Sequence, residues 1–453
     1  MKNDRSSIAF SGVRLSRTKM IMLGFLGIIL LGALLLMLPF ASRAGEETSF
    51  LGALFTSVSA TCVTGLVVYD TWTHWTLFGQ LVLLVQIQIG GLGFITIGSF
   101  AMMALGRRIG LKGRELIHES LNTLQLRGTV KLVRRIIVGT LFFEGVGAAL
   151  LAIRFVPEFG PLRGVYYSIF HAVSAFCNAG FDLMGCQAAY TSFTAYAGDP
   201  LVVLVLGALI IIGGIGFLVW EDLLMNRWHW RRYRLQTKIV LTATAALLAG
   251  GTLLFLLTEG DGLFAGMGAG ERFLAAFFAA VTPRTAGFNT IDLAAMSSAG
   301  KVLTMMLMFV GGSPGSTAGG IKTTTLVVIL LHIRSYLLHE RDCTVFRRRL
   351  EADNVKRASV VIFINFSLAI FAVMVLLTGQ DLPLADVLLE AFSAIGTVGM
   401  STGLTRELNA LSRIVIMMLM FLGRVGSLSF AMSFTERRHT GELRYPEEDI
   451  VVG

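Results

Sequence analysis

The runs MIMLGFLGIILLGALLLMLPF (20–40) and LVVLVLGALIIIGGIGFLVW (201–220) constrain this chain more than any other feature. Each is long enough to cross a ~30 Å hydrocarbon core as a helix. No water reaches backbone groups inside that core, so a spanning segment is either helical or part of a closed barrel. Runs of this length belong to helices. Of the 453 residues, 54% are hydrophobic and 15% are charged, more apolar surface than a soluble protein of this size hides. The first run follows a basic N-terminus but outlasts a signal-peptide core, and no small-residue cleavage pattern follows it. It reads as a retained helix. A polytopic membrane protein is expected.

Lysine and arginine are unevenly placed. Of 38, 28 fall in residues 1–19, 107–135, 227–238, 334–357 and beyond 436. Such an excess marks cytoplasmic segments. The intervening polar stretches hold Glu46, Glu47, Asp70, Asp182, Asp199, Glu259, Asp261, Asp381 and Asp386, and are expected outside. The net charge of +9 thus expresses topology, not nucleic-acid binding. The four cysteines have no metal-ligand spacing, and Cys177 and Cys186 read as free thiols.

Between successive basic loops lie two crossings, separated by a short segment rich in Ser, Ala and Phe. These segments are FLGALFTSVSATCVTGL (50–66), YYSIFHAVSAFCNAGF (166–181), RFLAAFFAAVTPRTAGF (272–288) and LLEAFSAIGTVGMSTGL (388–404). Each is too short to span, and each ends in Gly followed by Leu or Phe. That pattern aligns Gly65, Gly180, Gly287 and Gly403, at separations of 115, 107 and 116 residues. In this alignment Thr397-Val398-Gly399, which matches the opening of the potassium-channel signature TVGYG, is a lookalike just ahead of the repeated glycine. A second motif recurs in the crossing that follows: IGGLGF (89–94), IGGIGF (212–217), VGGSPG (310–315) and LGRVGS (422–427).

The expected fold is all-α, with four tandem helix–pore loop–helix repeats. Eight transmembrane helices then stand in pseudo-fourfold arrangement around one pore, with both termini cytoplasmic. The expected divisions are a cytoplasmic segment 1–19, repeat 1 at 20–110 and repeat 2 with its preceding loop at 111–232. Repeat 3 follows at 233–345, repeat 4 at 346–436 and a cytoplasmic tail at 437–453. Glycine tolerates backbone angles that turn carbonyls toward an axis. Rings of such carbonyls replace the hydration shell of a cation. Small residues also permit close helix packing. A glycine that ends a re-entrant segment in all four units favours the filter.

At these residues the sequence resembles the Trk/Ktr/HKT superfamily of cation transporters, and the membrane subunit of Ktr most of all. The likeness runs from about residue 20 to the tail RYPEEDIVVG (444–453). It implies a fold like a potassium-channel tetramer fused into one chain, and a potassium filter at Gly65, Gly180, Gly287 and Gly403. Serine at the first position is associated with sodium selectivity in plant relatives, so Gly65 points to potassium. It further implies a homodimer with one pore per protomer in a bacterial plasma membrane, and a cytosolic ring of nucleotide-binding regulatory subunits. No cofactor is expected in this chain itself: potassium is the permeant, sodium a possible activator, and nucleotide acts only through the ring. Thr64 and Asn178 are expected to add side-chain oxygens near the ion path.

Two interruptions stand out below the expected filter. The last crossing of repeat 3 runs 37 residues from Val302 to Leu338, and its middle, GGSPGSTAGGIKTTT (311–325), lacks helix formers. A cytoplasmic connection would leave only 302–310 to cross, so an intramembrane gate is expected, with Gly312, Ser313, Pro314, Gly315, Ser316, Gly319, Gly320 and Lys322. In repeat 4, Arg424 replaces the glycine found at 91, 214 and 312. An Arg at the centre of a membrane helix costs ~2.5–3.5 kcal/mol, so it faces a cavity or a partner. Two readings stand: a pore charge that slows cations, or a pair with Glu144. Lys322 either contacts the loop backbone or reaches toward the cytoplasm. Arg284 is either a filter-stabilising donor or an external charge.

An enzyme would need convergent catalytic groups. The seven histidines show no ligand spacing and the chain has no phosphate-binding P-loop, so catalysis is not expected.

Overall fold

The computed structural model describes residues 7–10, 13–44, 47–105, 129–227, 229–340, 342–427 and 448. The basic loop over 106–128 and nearly all of the expected tail lie outside the described residues. Helices dominate, and a long outer helix, a short pore helix and an inner helix succeed one another four times. Repeat 1 comprises α1 (Arg17–Leu36), α2 (Phe50–Cys62), α3 (Leu77–Leu92) and α4 (Phe94–Ala104). Repeat 2 comprises α5 (Thr129–Phe159), α6 (Pro161–Phe176), α7 (Pro200–Gly214) and α8 (Phe217–Asn226). Repeat 3 has α9 (Leu235–Glu259), α10 (Ala269–Val281), α11 (Ser298–Phe309) and α12 (Thr323–Leu337). Repeat 4 has α13 (Ala352–Gly379), α14 (Leu384–Gly396) and α15 (Ala410–Val425). Two small hairpins, Ser7–Phe10 with Val13–Ser16 and Thr344–Val345 with Arg348–Arg349, and four short 3-10 turns accompany the helices among the described residues.

The four outer helices are long and apolar enough to cross a membrane by themselves, with mean hydropathy of 2.1 to 2.8 over their most apolar windows. They present exposed Leu31, Phe142, Leu257 and Phe371, as a lipid-facing surface does. The pore helices stand inside them and are mostly buried. One apolar cluster joins repeats 1, 2 and 3 around Phe170, Phe176 and Phe288. A second joins repeats 4 and 1 around Phe55 and Ile416, and a third joins repeats 3 and 4 around Phe255 and Val398. The units therefore close on themselves. This is the all-α, four-repeat membrane fold.

The inner helices differ from expectation. Instead of continuous crossings, α3 and α4 meet at 97°, and α7 and α8 at 93°. The bends fall at Gly93 and Gly216, with φ of 81° and 96°, the left-handed region that an L side chain resists. Gly315 and Gly426, in the same motif of repeats 3 and 4, also have positive φ. The interruption in repeat 3 is thus the longest form of a break shared by all four units, not an anomaly of one.

Close backbone approach sets the distance between pore and inner helices. A Cβ on Gly90 would stand 2.1 Å from the Thr61 carbonyl oxygen, whereas one on Gly250 would meet nothing within 4 Å. Gly90→Ala is expected to destabilise the protein by ~1–3 kcal/mol through overpacking. Gly250→Ala, in a helix interior, should be neutral or mildly stabilising. Thermal unfolding of the purified variants in detergent checks both.

Candidate functional site

The four re-entrant segments meet at one place through their backbones. A Cβ built on Gly65 would lie 2.6 Å from the Ala179 oxygen, and one on Gly180 would lie 2.8 Å from the Ala286 oxygen. One on Gly287 would lie 2.4 Å from the Val398 oxygen, and one on Gly399 would lie 2.1 Å from the Thr64 oxygen. The sequence of contacts returns to its start. Each glycine α-carbon packs against the carbonyl that precedes the next glycine, so repeats 1, 2, 3 and 4 stand in cyclic order and 2 lies across from 4.

The local conformation repeats as faithfully as the contacts. Val63, Asn178, Thr285 and Thr397, each two residues before a ring glycine, have φ of 57°, 59°, 69° and 51°. The ring glycines follow with φ of 96°, 69°, 83° and 93°. Two left-handed residues flanking one other residue stop the pore helix and leave the segment non-helical. The C-termini of α2, α6, α10 and α14 all end within a few residues of the ring, and the negative end of each helix dipole favours a cation there.

Pore-helix hydroxyls hold the ring from behind in two ways. The Gly65 N–H donates to Ser59 Oγ at 3.1 Å and the Gly399 N–H to Ser393 Oγ at 3.0 Å. In the other two repeats the hydroxyl is the donor, from Ser174 to the Phe181 carbonyl at 2.7 Å and from Thr282 to the Phe288 carbonyl at 2.6 Å. Those two carbonyls, one residue past the ring, are committed to the protein. The level beyond the glycines is therefore not fourfold.

Residues 310–322 connect α11 to α12 without regular helix and are largely buried. The loop satisfies ends that the broken helices leave open. The Ser313 and Thr317 N–H groups donate to the Gly214 and Gly213 carbonyls at 2.9 and 3.3 Å. Thr317 Oγ1 donates to the Phe176 carbonyl at 3.0 Å, and Gly315 O accepts from the Phe217 N–H at 2.7 Å. On the other side, a Cβ on Gly319 would collide with Thr397 Oγ1 and one on Gly320 would lie 2.9 Å from the Gly396 oxygen. The loop thus reaches from the second repeat to the base of the fourth re-entrant segment. Arg424 donates to the Thr317, Gly90 and Gly91 carbonyls, joining the loop to the end of α3. Lys322 Nζ donates to Ala318 O at 2.8 Å and Gly319 O at 3.3 Å.

On one side of the ring lies a cavity of about 560 Å³. All four ring glycines line it, together with Asp70, Asp182, Asp292 and Arg406. Asp70 is saturated by the N–H groups of Trp72, Thr73 and Tyr190. Asp182, two residues past Gly180, accepts from the Met184 N–H at 2.9 Å. Half-buried in the cavity wall, its carboxyl is pushed up to about 7 by desolvation and by the neighbouring Asp70.

Residues 18–441 match the family described as TrkH, cation transport protein. The chain belongs to the TrkH family. The potassium/sodium uptake protein NtpJ of Enterococcus hirae is 42% identical over 97% of this chain and 98% of its own. The Ktr system potassium uptake protein B of Bacillus subtilis is 39% identical over 97% and 98%, and that of Vibrio alginolyticus 35% over 96% and 94%. The crystal structure of the potassium transporter TrkH from Vibrio parahaemolyticus has the same fold, with a TM-score of 0.73 at 18% identity over 93% of this chain and 85% of that one. The family and these relatives are transport proteins, not enzymes.

The ring corrects the alignment at one position. Gly65, Gly180 and Gly287 are ring members, but the fourth is Gly399, not Gly403. Gly403 lies further out on the cavity wall, where its added Cβ would meet only the tip of Arg406. The rule "Gly before Leu or Phe" failed because Met400 follows the true ring glycine. The six-residue spacing from Ser59, Ser174 and Ser393 to the ring would have found it. Thr64 contributes its carbonyl to the ring, while its hydroxyl is buried without a partner. Asn178 Nδ2 donates to Thr285 Oγ1 at 3.1 Å and faces the Arg284 carbonyl at 3.5 Å, tying repeats 2 and 3. Arg424 does not pair with Glu144, which instead accepts from Gln88 at 3.2 Å. Lys322 contacts the loop backbone. Arg284 is no external charge: it is buried and donates to Thr244 at 3.3 Å.

Asp182 yields a pH prediction with a definite sign. Its carboxyl, raised to about 7, is neutral below that pH and adds a negative charge to the cavity above it. Cation uptake at low concentration and low ionic strength should rise as pH passes from 6 to 8, and Asp182→Asn should flatten that rise. Rubidium-86 uptake across this range checks it.

Proposed function

We propose that this chain carries potassium into the cell across a bacterial plasma membrane, through the carbonyl ring formed by its four filter segments. One observation carries the proposal: the closed succession of Gly65, Gly180, Gly287 and Gly399 against the carbonyls of Ala179, Ala286, Val398 and Thr64. Such a ring offers a dehydrated cation oxygen ligands in place of water. Glycine at all four positions supports potassium as the permeant, as do the printed activities of the relatives, potassium/sodium uptake and Ktr system potassium uptake. Sodium is the second permeant or an activator, in keeping with the first of those names.

The loop over 310–322 is the gate; residues 323–325 of the expected stretch 311–325 belong to α12. It lies against the base of the fourth filter segment, and Arg424 latches it to α3. The guanidinium also places a positive charge below the ring, which slows cations that pass it. The basic segments face the cytoplasm together with both termini. There the protein works as a homodimer with a cytosolic ring of nucleotide-binding regulatory subunits, as the resemblance implies.

Two experiments in potassium-uptake-deficient cells test this reading. Gly399→Ala and Gly403→Ala strain the backbone alike, at φ of 93° and 103°, but only the first meets a carbonyl oxygen. Gly399→Ala should lower rubidium uptake about tenfold or more, the effect of ~1.4 kcal/mol. Gly403→Ala should retain selectivity, and the reverse result would remove the ring from the ion path. Deleting 313–318, or Arg424→Ala, should raise flux; unchanged flux in a folded protein would dismiss the gate.

A further inference from the structure

The residue nine positions before each ring glycine occupies the same turn of its pore helix: Thr56, His171, Phe278 and Glu390. Their environments split by diagonal. In repeat 1, Thr56 Oγ1 bonds its own helix at the Gly52 carbonyl, 2.9 Å away, and in repeat 3 Phe278 is apolar. In repeats 2 and 4, which face each other across the axis, the residue is polar, fully buried and turned onto the strand that leaves the filter.

Glu390 has no exposed surface. Thr405 Oγ1 donates to its Oε1, and Oε2 has no partner. Thr405 Oγ1 also lies 3.2 Å from Ser401 Oγ, which accepts from the Gly403 N–H at 3.0 Å. Ser401 lines the cavity outside the ring, two residues beyond Gly399. A relay of side chains therefore connects the pore helix to the outer end of the fourth filter segment. None of the described ion pairs includes Glu390, and Asp386, one turn earlier, is matched by Lys301 at 3.3 Å. An ionised carboxylate whose only donors are the neutral hydroxyls of Thr405 and Ser401 is strongly disfavoured at such a site, and a neutral carboxylic acid costs less.

His171 is built in the same way. It is fully buried, Nδ1 lies 2.8 Å from the Tyr167 carbonyl, and Nε2 accepts from the Leu183 N–H at 2.9 Å. A proton on Nδ1 and a lone pair on Nε2 satisfy both contacts, which requires the neutral ring. Phe155, Phe170 and Phe193 enclose it. Leu183 is three residues beyond Gly180, so here too a pore-helix side chain holds the exit strand.

We propose that Glu390, as a neutral carboxylic acid, and His171, as a neutral imidazole, are positioning residues that brace the fourth and second filter strands and thereby set cation discrimination on one diagonal. The proposal rests on the ring being a cation filter. It requires an uncharged hydrogen-bonding group at 390, not a negative one.

The test is rubidium uptake by cells expressing the full chain, with sodium as competitor, and membrane protein levels measured alongside. Glu390→Gln should keep the KM for rubidium within about twofold of the unmodified protein. Glu390→Ala should raise KM about tenfold and strengthen sodium competition, the scale of one lost buried hydrogen bond, with maximal rate little changed. Thr405→Val, which breaks the relay without opening a cavity, should repeat that effect at normal protein level. His171→Gln should retain more discrimination than His171→Ala, and Thr56→Val should change none. A Gln variant as impaired as Ala would show that the charge is needed and overturn the proposal. So would variants whose only change is in protein level or maximal rate. Gly399→Ala separates the two readings. If it leaves rubidium preference intact, the filter itself is misplaced; if it abolishes preference while Glu390→Ala and Thr405→Val do not, only the bracing fails.

Discussion

Everything in this molecule depends on four stretches of non-helical backbone placed inside a membrane protein. Such backbone is stable only where something satisfies its polar groups. Here its N–H groups turn outward, to pore-helix hydroxyls and carbonyls, as the Gly65 and Gly399 N–H groups do to Ser59 and Ser393. The α-carbon of each glycine then sits against the carbonyl of the next segment, a fit that any side chain would prevent. The pore helices supply the ends of their dipoles to the same place. The rest of the fold keeps these four segments in contact.

The inner helices serve that end by breaking. A straight helix at α7 would carry its backbone hydrogen bonds past Gly214 and leave nothing for the loop. Because α7 stops and α8 departs at 93°, the Gly213 and Gly214 carbonyls and the Phe217 N–H are free to hold residues 313–317. Arg424 uses the carbonyls at the end of α3 in the same way. A charge that would be costly in lipid is accepted where three carbonyls converge. The polar ends created by broken helices are thus the attachment points of the loop beneath the ring.

Fourfold arrangement at the ring gives way to lower symmetry immediately around it. Two hydroxyls accept from the glycine N–H while two donate to the next carbonyl, and the buried side chains of His171 in repeat 2 and Glu390 in repeat 4 contact the strand beyond the ring. A single chain permits this, because each repeat carries its own side chains. The ring is consequently regular at the level of backbone and irregular at the level of side chains.

Much of the architecture was legible in the residues themselves. The apolar runs, the alternation of basic and acidic segments and the doubly repeated motifs point to four units in a membrane, since each follows from the absence of water in the bilayer or from glycine at a fixed spacing. Three of the four ring glycines and the helix-breaking composition of 311–325 were readable for the same reason. The fourth glycine was harder to read: Gly399 and Gly403 both precede an apolar residue and both have positive φ; the six-residue spacing from Ser393 points to Gly399, and contact with Thr64 on another repeat establishes it. The partners of Arg424, Asn178 and Glu390 lie tens to hundreds of residues away or on the far side of a turn, where periodicity carries no information. Sequence by itself determined what each segment could be, because helix, break and turn depend on neighbours along the chain. Only the tertiary structure decided which carbonyl meets which glycine, because that depends on how four independent segments close around one axis.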